Sequence, residues 1–102
     1  MMRTNELTRA VLNRIELMPN VIAWRNNNIA VRGRKFIGRK GVSDICGIIH
    51  GGRALFIEIK AGEDKISPHQ ADFMLDVLTF GGLYFTIRTK EDIEHMIQFI
   101  KP

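Results

Sequence analysis

Apolar residues near the start of the chain recur at intervals of three and four. Leu7, Ala10, Val11, Ile15 and Met18 mark one helical face and predict a helix over 6–18. Thr4 or Asn5 supplies capping chemistry before it, and Pro19-Asn20 ends it. Val21-Ile22-Ala23-Trp24-Arg25 predicts a strand, with Trp24 read as a core side chain. Asn26-Asn27-Asn28 is turn chemistry. Residues 32–41 hold three glycines among basic residues and read as a surface loop.

From Gly41 to Lys60 the pattern changes to that of a hairpin. One strand runs through Asp44 to His50, turns at Gly51-Gly52, and returns as Arg53 to Lys60. Side chains alternate faces along a strand. Leu55, Ile57 and Ile59 therefore share one face, and Glu58 and Lys60 the other.

The remaining elements carry clear boundaries. Ser67-Pro68 is a helix start, with a hydroxyl cap and a proline in the first turn. The helix places Ala71, Met74, Leu75 and Leu78 on one stripe, read as buried, and stops at Gly81-Gly82. Leu83 to Arg88 is a strand. A last helix begins at Thr89-Lys90-Glu91-Asp92 with Ile93, Met96, Ile97 and Ile100 inward. The order is α-β-β-β-α-β-α in a single domain over 1–102. The first three strands are expected as an antiparallel meander. The third strand, helix and fourth strand form a crossover, so those two strands should be parallel.

Composition narrows the class. Hydrophobic content of 45% and charged content of 25% are ordinary for a soluble protein. No apolar run approaches the roughly 18–20 residues of a membrane span. Cys46 is the single cysteine, and Met1 to Glu6 lacks a signal-peptide stretch, so a reducing cytoplasmic setting is expected. The net charge of +4 is unevenly spread. Residues 1–42 carry nine Lys/Arg against two acids, and residues 43–102 carry six against nine. Arg25, Arg32, Arg34, Lys35, Arg39 and Lys40 form the basic share nearest the hairpin. Phosphate backbones attract such clusters. A solvated loop kept basic for solubility is the plainer alternative.

The hairpin also carries the candidate chemistry. Asp44 and Glu58 can bind a divalent metal through oxygen, and Lys60 can place a water or balance phosphate charge. Their meeting depends on register. A two-residue turn pairs His50 with Arg53 and sets Asp44 opposite Ile59, on the wrong face. A three-residue loop, His50-Gly51-Gly52, pairs Ile49 with Arg53 and sets Asp44 opposite Glu58. A bulge near Gly47 would have the same effect. One of these is expected. Cys46, His50, His69 and His95 show no usual zinc-ligand spacing, and Cys46 reads as a small core residue.

Gly41-Val42-Ser43-Asp44, the glycine hairpin, Glu58-x-Lys60 and Ser67-Pro68-x-Gln70 occur in an order that resembles the VRR-Nuc branch of the PD-(D/E)xK nucleases. Trp24-Arg25-Asn26-Asn27 and Gly81-Gly82 also fit small phage or bacterial members. The resemblance covers nearly the whole chain, from about Glu6 to Arg88. It implies an α/β fold with a restriction-endonuclease-like αβββαβ core, a mixed four-stranded sheet flanked by helices. It also implies a Mg²⁺- or Mn²⁺-dependent DNA endonuclease that dimerises and cuts branched DNA such as Holliday junctions, as in DNA repair. Asp44 and Glu58 match the family's metal carboxylates, and Lys60 its catalytic lysine. Ile59 would lend a backbone carbonyl to the metal. Gln70 matches a glutamine near the site, and Glu6 stands where the family has a first-helix glutamate. Val42-Ser43 replace the proline of the older family name, as is normal in this branch.

Competing readings remain at this level. Glu6 in a first helical turn is also favoured by the helix dipole. Gln70 could be an exposed helix residue, and Glu58–Lys60 a surface ion pair. Arg25 could be a plain edge charge, or with Trp24 it could hold a phosphate or stack on a base, Trp24 then being a platform rather than core. A non-catalytic DNA-junction-binding module would explain the basic half and leave the carboxylates unused. A protein-interaction or inhibitor domain would bind DNA weakly and without salt dependence.

Overall fold

The computed structural model describes residues 2–26 and 38–102. Its elements are α1 (Thr4–Glu16), β1 (Val21–Arg25), β2 (Ile45–Ile49), β3 (Arg53–Ile59), α2 (Pro68–Thr79), β4 (Leu83–Ile87) and α3 (Lys90–Ile100). The strands form one mixed sheet in the order β1-β2-β3-β4. β1, β2 and β3 are an antiparallel meander, and β3 pairs with β4 in parallel, as the element order predicts. No helix among the described residues is long and apolar enough to cross a membrane.

The two sheet faces differ. Val21, Ile45, Leu55, Ile57, Ile59 and Ile87 point to one face. There they pack with Leu7, Val11 and Ile15 of α1 and Ile93, Met96, Ile97 and Ile100 of α3. This is the main core, and burial of these side chains supplies most of the folding drive. The second face carries α2 over β3 and β4 only. Phe73 of α2 meets Phe56 edge-on at 4.9 Å and Tyr84 at 6.5 Å. Among the described residues nothing covers the same face over β1 and β2, where Ile22 and Ile48 are exposed. Trp24 lies there too and is 49% exposed, so it is not the core side chain the sequence suggested.

Two helix assignments also change. α1 begins at Thr4, with Arg3 at the cap and no side-chain capping bond, so neither Thr4 nor Asn5 caps it. Asn5 instead accepts from Arg25 Nη2 at 3.2 Å. In α2 the buried residues are Phe73 and Val77, whereas Ala71, Leu75 and Leu78 are exposed and Met74 is half-buried. Both stripes have helical spacing. Phe73 turns inward because Phe56 and Tyr84 offer it aromatic partners. The helix closes as its glycines require: Gly81 adopts φ +87° and Gly82 N–H donates to Val77 at 2.8 Å.

Candidate metal centre

The hairpin register brings the two carboxylates together. Ile49 pairs with Arg53, Cys46 with Phe56 and Ile45 with Ile57, leaving His50-Gly51-Gly52 as a three-residue loop. Continuing that register sets Asp44 opposite Glu58. Gly51 and Gly52 both take positive φ, +98° and +91°, which only glycine adopts at little cost. Of the two repairs foreseen, the longer loop is the one present, and β2 pairs through Gly47 one to one.

Asp44 precedes β2 by one residue and is half-buried. Its Oδ2 accepts from the Ile59 backbone N–H at 2.8 Å, and its own carbonyl accepts from Asn26 N–H at 2.8 Å. Glu58 is 3% exposed. Gln70 Nε2 donates to Glu58 Oε1 at 2.9 Å. Gln70 also closes a capping box: its Oε1 accepts from Ser67 N–H at 2.9 Å, and its N–H donates to Ser67 Oγ at 3.2 Å. The start of α2 therefore holds one carboxylate of the pair. The fold thus brings Gln70, one of the residues singled out from the sequence, against Glu58.

Burial pushes the Glu58 carboxyl up to about 8, and the neighbouring Asp44 adds to the rise by hydrogen bonding and by charge. Lys60 opposes it from nearby. Neither ion pair found among the described residues, Arg14–Glu94 and Arg39–Asp76, involves Glu58 or Lys60. The surface ion pair considered for Glu58 and Lys60 is thus not formed. Among the described residues Glu58 Oε2 is buried without a fixed partner, and no ion pair offsets the two adjacent carboxylates. A divalent cation would supply positive charge, and a donor set of two carboxylates and a peptide carbonyl suits a hard cation.

Glu6 is exposed on α1 and is not gathered into this group. Among the described residues no three His, Cys, Asp or Glu side chains cluster around one point. Only two carboxylates meet here, with the Ile59 carbonyl left to complete a protein donor set. Cys46 is half-buried rather than a sealed core residue, and burial raises its thiol pKa.

Of the basic residues, Arg32, Arg34 and Lys35 lie outside the described residues. Arg25 is exposed and lines a polar groove with Asn5, Arg9 and Asn13. Lys40 is exposed. Arg39 pairs with Asp76 of α2 and sits 5.1 Å from the Phe73 ring centroid. It fastens the 38–41 segment to the helix as well as adding charge. Sequence reasoning missed Tyr84 and gave Ser43, part of the quoted motif, no role of its own; both lie near Glu58 and Asp44. Burial and then the Glu58 charge raise the Tyr84 pKa to about 12; the Ser43 hydroxyl lowers it and Asp44 adds to the rise. The register of β4 against β3 was needed to find Tyr84.

Comparison with protein-family models, curated proteins and solved structures finds no match to this chain.

Proposed function

We propose that this protein is a metal-dependent nuclease of the VRR-Nuc type, with a restriction-endonuclease-like core. In this reading it hydrolyses phosphodiester bonds in DNA, prefers branched substrates such as four-way junctions, and acts in the cytoplasm as a homodimer. The observation that carries the reading is the meeting of Asp44 and Glu58. The hairpin register sets them opposite each other, Gln70 fixes one, and the Ile59 N–H fixes the other.

Asp44, Glu58 and the Ile59 carbonyl would hold Mg²⁺ or Mn²⁺, which supplies polarisation of a phosphate and a more acidic water. Lys60 lies near enough to lower the Glu58 pKa. Its ammonium would orient the attacking water or offset charge on the phosphate in the transition state. Gln70 keeps Glu58 aimed. Arg25 and Lys40, with the basic residues of the 32–40 stretch, would grip the DNA backbone without reading bases.

The test is cleavage of a matched set of branched and linear duplexes with Mg²⁺ or Mn²⁺, with protein mass measured in solution. Asp44→Asn keeps an acceptor for the Ile59 N–H and removes the charge. It and Lys60→Ala should stay folded and lose cutting. Full activity in either variant rejects the mechanism. DNA binding without divalent-dependent cleavage would instead favour a junction-binding module on the same fold.

A further inference from the structure

Among the described residues, three oxygens at this site have no fixed hydrogen-bond partner. Glu58 Oε2, Ser43 Oγ and Tyr84 Oη are each sealed from solvent without a fixed donor or acceptor in hydrogen-bond geometry. Ser43 is 0% exposed and Glu58 is 3% exposed. Buried polar atoms are nearly always hydrogen-bonded, and an orphan costs roughly 1–3 kcal/mol. Three together indicate a network that closes under other conditions.

The fold explains why they converge. In the parallel register Phe56 faces Tyr84 and Glu58 faces Thr86. Tyr84 and Glu58 therefore project from one face of adjacent strands, two positions apart. Ser43 adjoins Asp44 in sequence, and its hydroxyl lies close enough to that of Tyr84 to lower the Tyr84 pKa as a hydrogen-bond partner does. Phe73 packs against the Tyr84 ring and limits where the hydroxyl can go.

The donor inventory is complementary. Each hydroxyl has one proton to give, and an ionised carboxylate only accepts. A chain in which Ser43 donates to Tyr84 and Tyr84 donates to Glu58 would give every orphan a partner. It requires Glu58 to be charged, the state in which a carboxylate binds a cation.

We infer that Tyr84 is a positioning residue whose hydroxyl, backed by Ser43, holds Glu58 Oε2 when that carboxylate binds a divalent cation. Gln70 holds Oε1. The inference rests on the metal-site reading above. Partners behind a ligand set its orientation, and their loss typically weakens metal binding by about 10- to 100-fold.

Titration calorimetry with Mn²⁺ tests it without reference to activity. Tyr84→Phe keeps the ring and its contact with Phe73. It should bind Mn²⁺ at least about tenfold more weakly, with the metal-free melting temperature unchanged or higher. Ser43→Ala should cause a smaller loss alone and no further loss in the Tyr84→Phe background, because Ser43 acts through Tyr84. Wild-type affinity in Tyr84→Phe, or an additive loss in the double variant, overturns the inference while leaving the metal site intact. Should Tyr84→Phe fail to fold, Ser43→Ala alone decides: weakened binding supports the inference and wild-type binding overturns it. Absence of Mn²⁺ binding by the wild type, or full binding by Asp44→Asn, overturns the metal-site reading itself and Tyr84's role with it.

Discussion

Gln70 joins Glu58 to the first turn of α2: its amide nitrogen donates to Glu58 Oε1 at 2.9 Å while its amide oxygen accepts from Ser67 N–H at 2.9 Å. One side chain thus caps a helix and orients a buried carboxylate. The two duties can be separated. Ser67→Ala breaks the capping box and leaves the Gln70–Glu58 bond available. It should cost about 1 kcal/mol in urea denaturation with Mn²⁺ affinity unchanged. Gln70→Ala should cost a similar amount and also weaken Mn²⁺ binding about tenfold or more. Equal Mn²⁺ affinity in the two variants would reduce Gln70 to a cap.

The raised Glu58 pKa has a consequence for the metal-free protein. In the unfolded chain this carboxyl ionises near 4.5, and in the fold near 8. Between those values the folded state holds the extra proton, so its stability falls as pH rises. The slope approaches about 1.4 kcal/mol per pH unit for one group. Denaturation of metal-free protein from pH 4.5 to 8 should show the loss, and Glu58→Gln should flatten it. Mn²⁺ binding should tighten with pH over the same window, since the proton must leave before the cation binds. A wild-type slope no steeper than that of Glu58→Gln would show that Glu58 ionises normally.

Much of the architecture was legible from residue order alone. Ser67-Pro68, Gly81-Gly82 and Thr89 bound their helices through local chemistry, and each mark lies where the fold needs it. The meander and the parallel β3–β4 pair followed from element order. Asp44 and Glu58 were named early, but their meeting hung on one residue of loop length that Gly51-Gly52 leaves open. Tyr84 was invisible for a different reason. A tyrosine in an apolar strand looks like core until the neighbouring strand's register is known. Trp24 was misplaced because α2 covers only half of its sheet face, and strand pattern does not say how far a helix reaches.

The two stripes of α2 offer a direct check on packing. Phe73 is 7% exposed and lies between Phe56 and Tyr84, whereas Leu75 is 63% exposed. Phe73→Ala should destabilise by about 3–5 kcal/mol, as for other buried aromatics, and loosen the Arg39 contact above its ring. Leu75→Ser should change stability by no more than about 0.5 kcal/mol. A reversed order in chemical denaturation would mean that α2 is rotated on the sheet.

Gly41 fixes where the segment leading through Asp44 into β2 meets α2. Its φ is +85°, and an added Cβ would stand 2.3 Å from the His69 carbonyl oxygen and 2.8 Å from Gln70 N. Both are backbone atoms, so relief requires moving the helix start, and Gln70 with it. Gly51 provides the comparison: φ is +98°, but an added Cβ would meet nothing within 4 Å. Gly51→Ala should therefore cost only backbone strain, about 1 kcal/mol. Gly41→Ala should cost at least about 2 kcal/mol more, by strain and overpacking together. It should also weaken Mn²⁺ binding, because the Gln70–Glu58 bond is displaced, while Gly51→Ala should not. Equal destabilisation by the two alanines would mean that the 38–41 segment does not seat against α2.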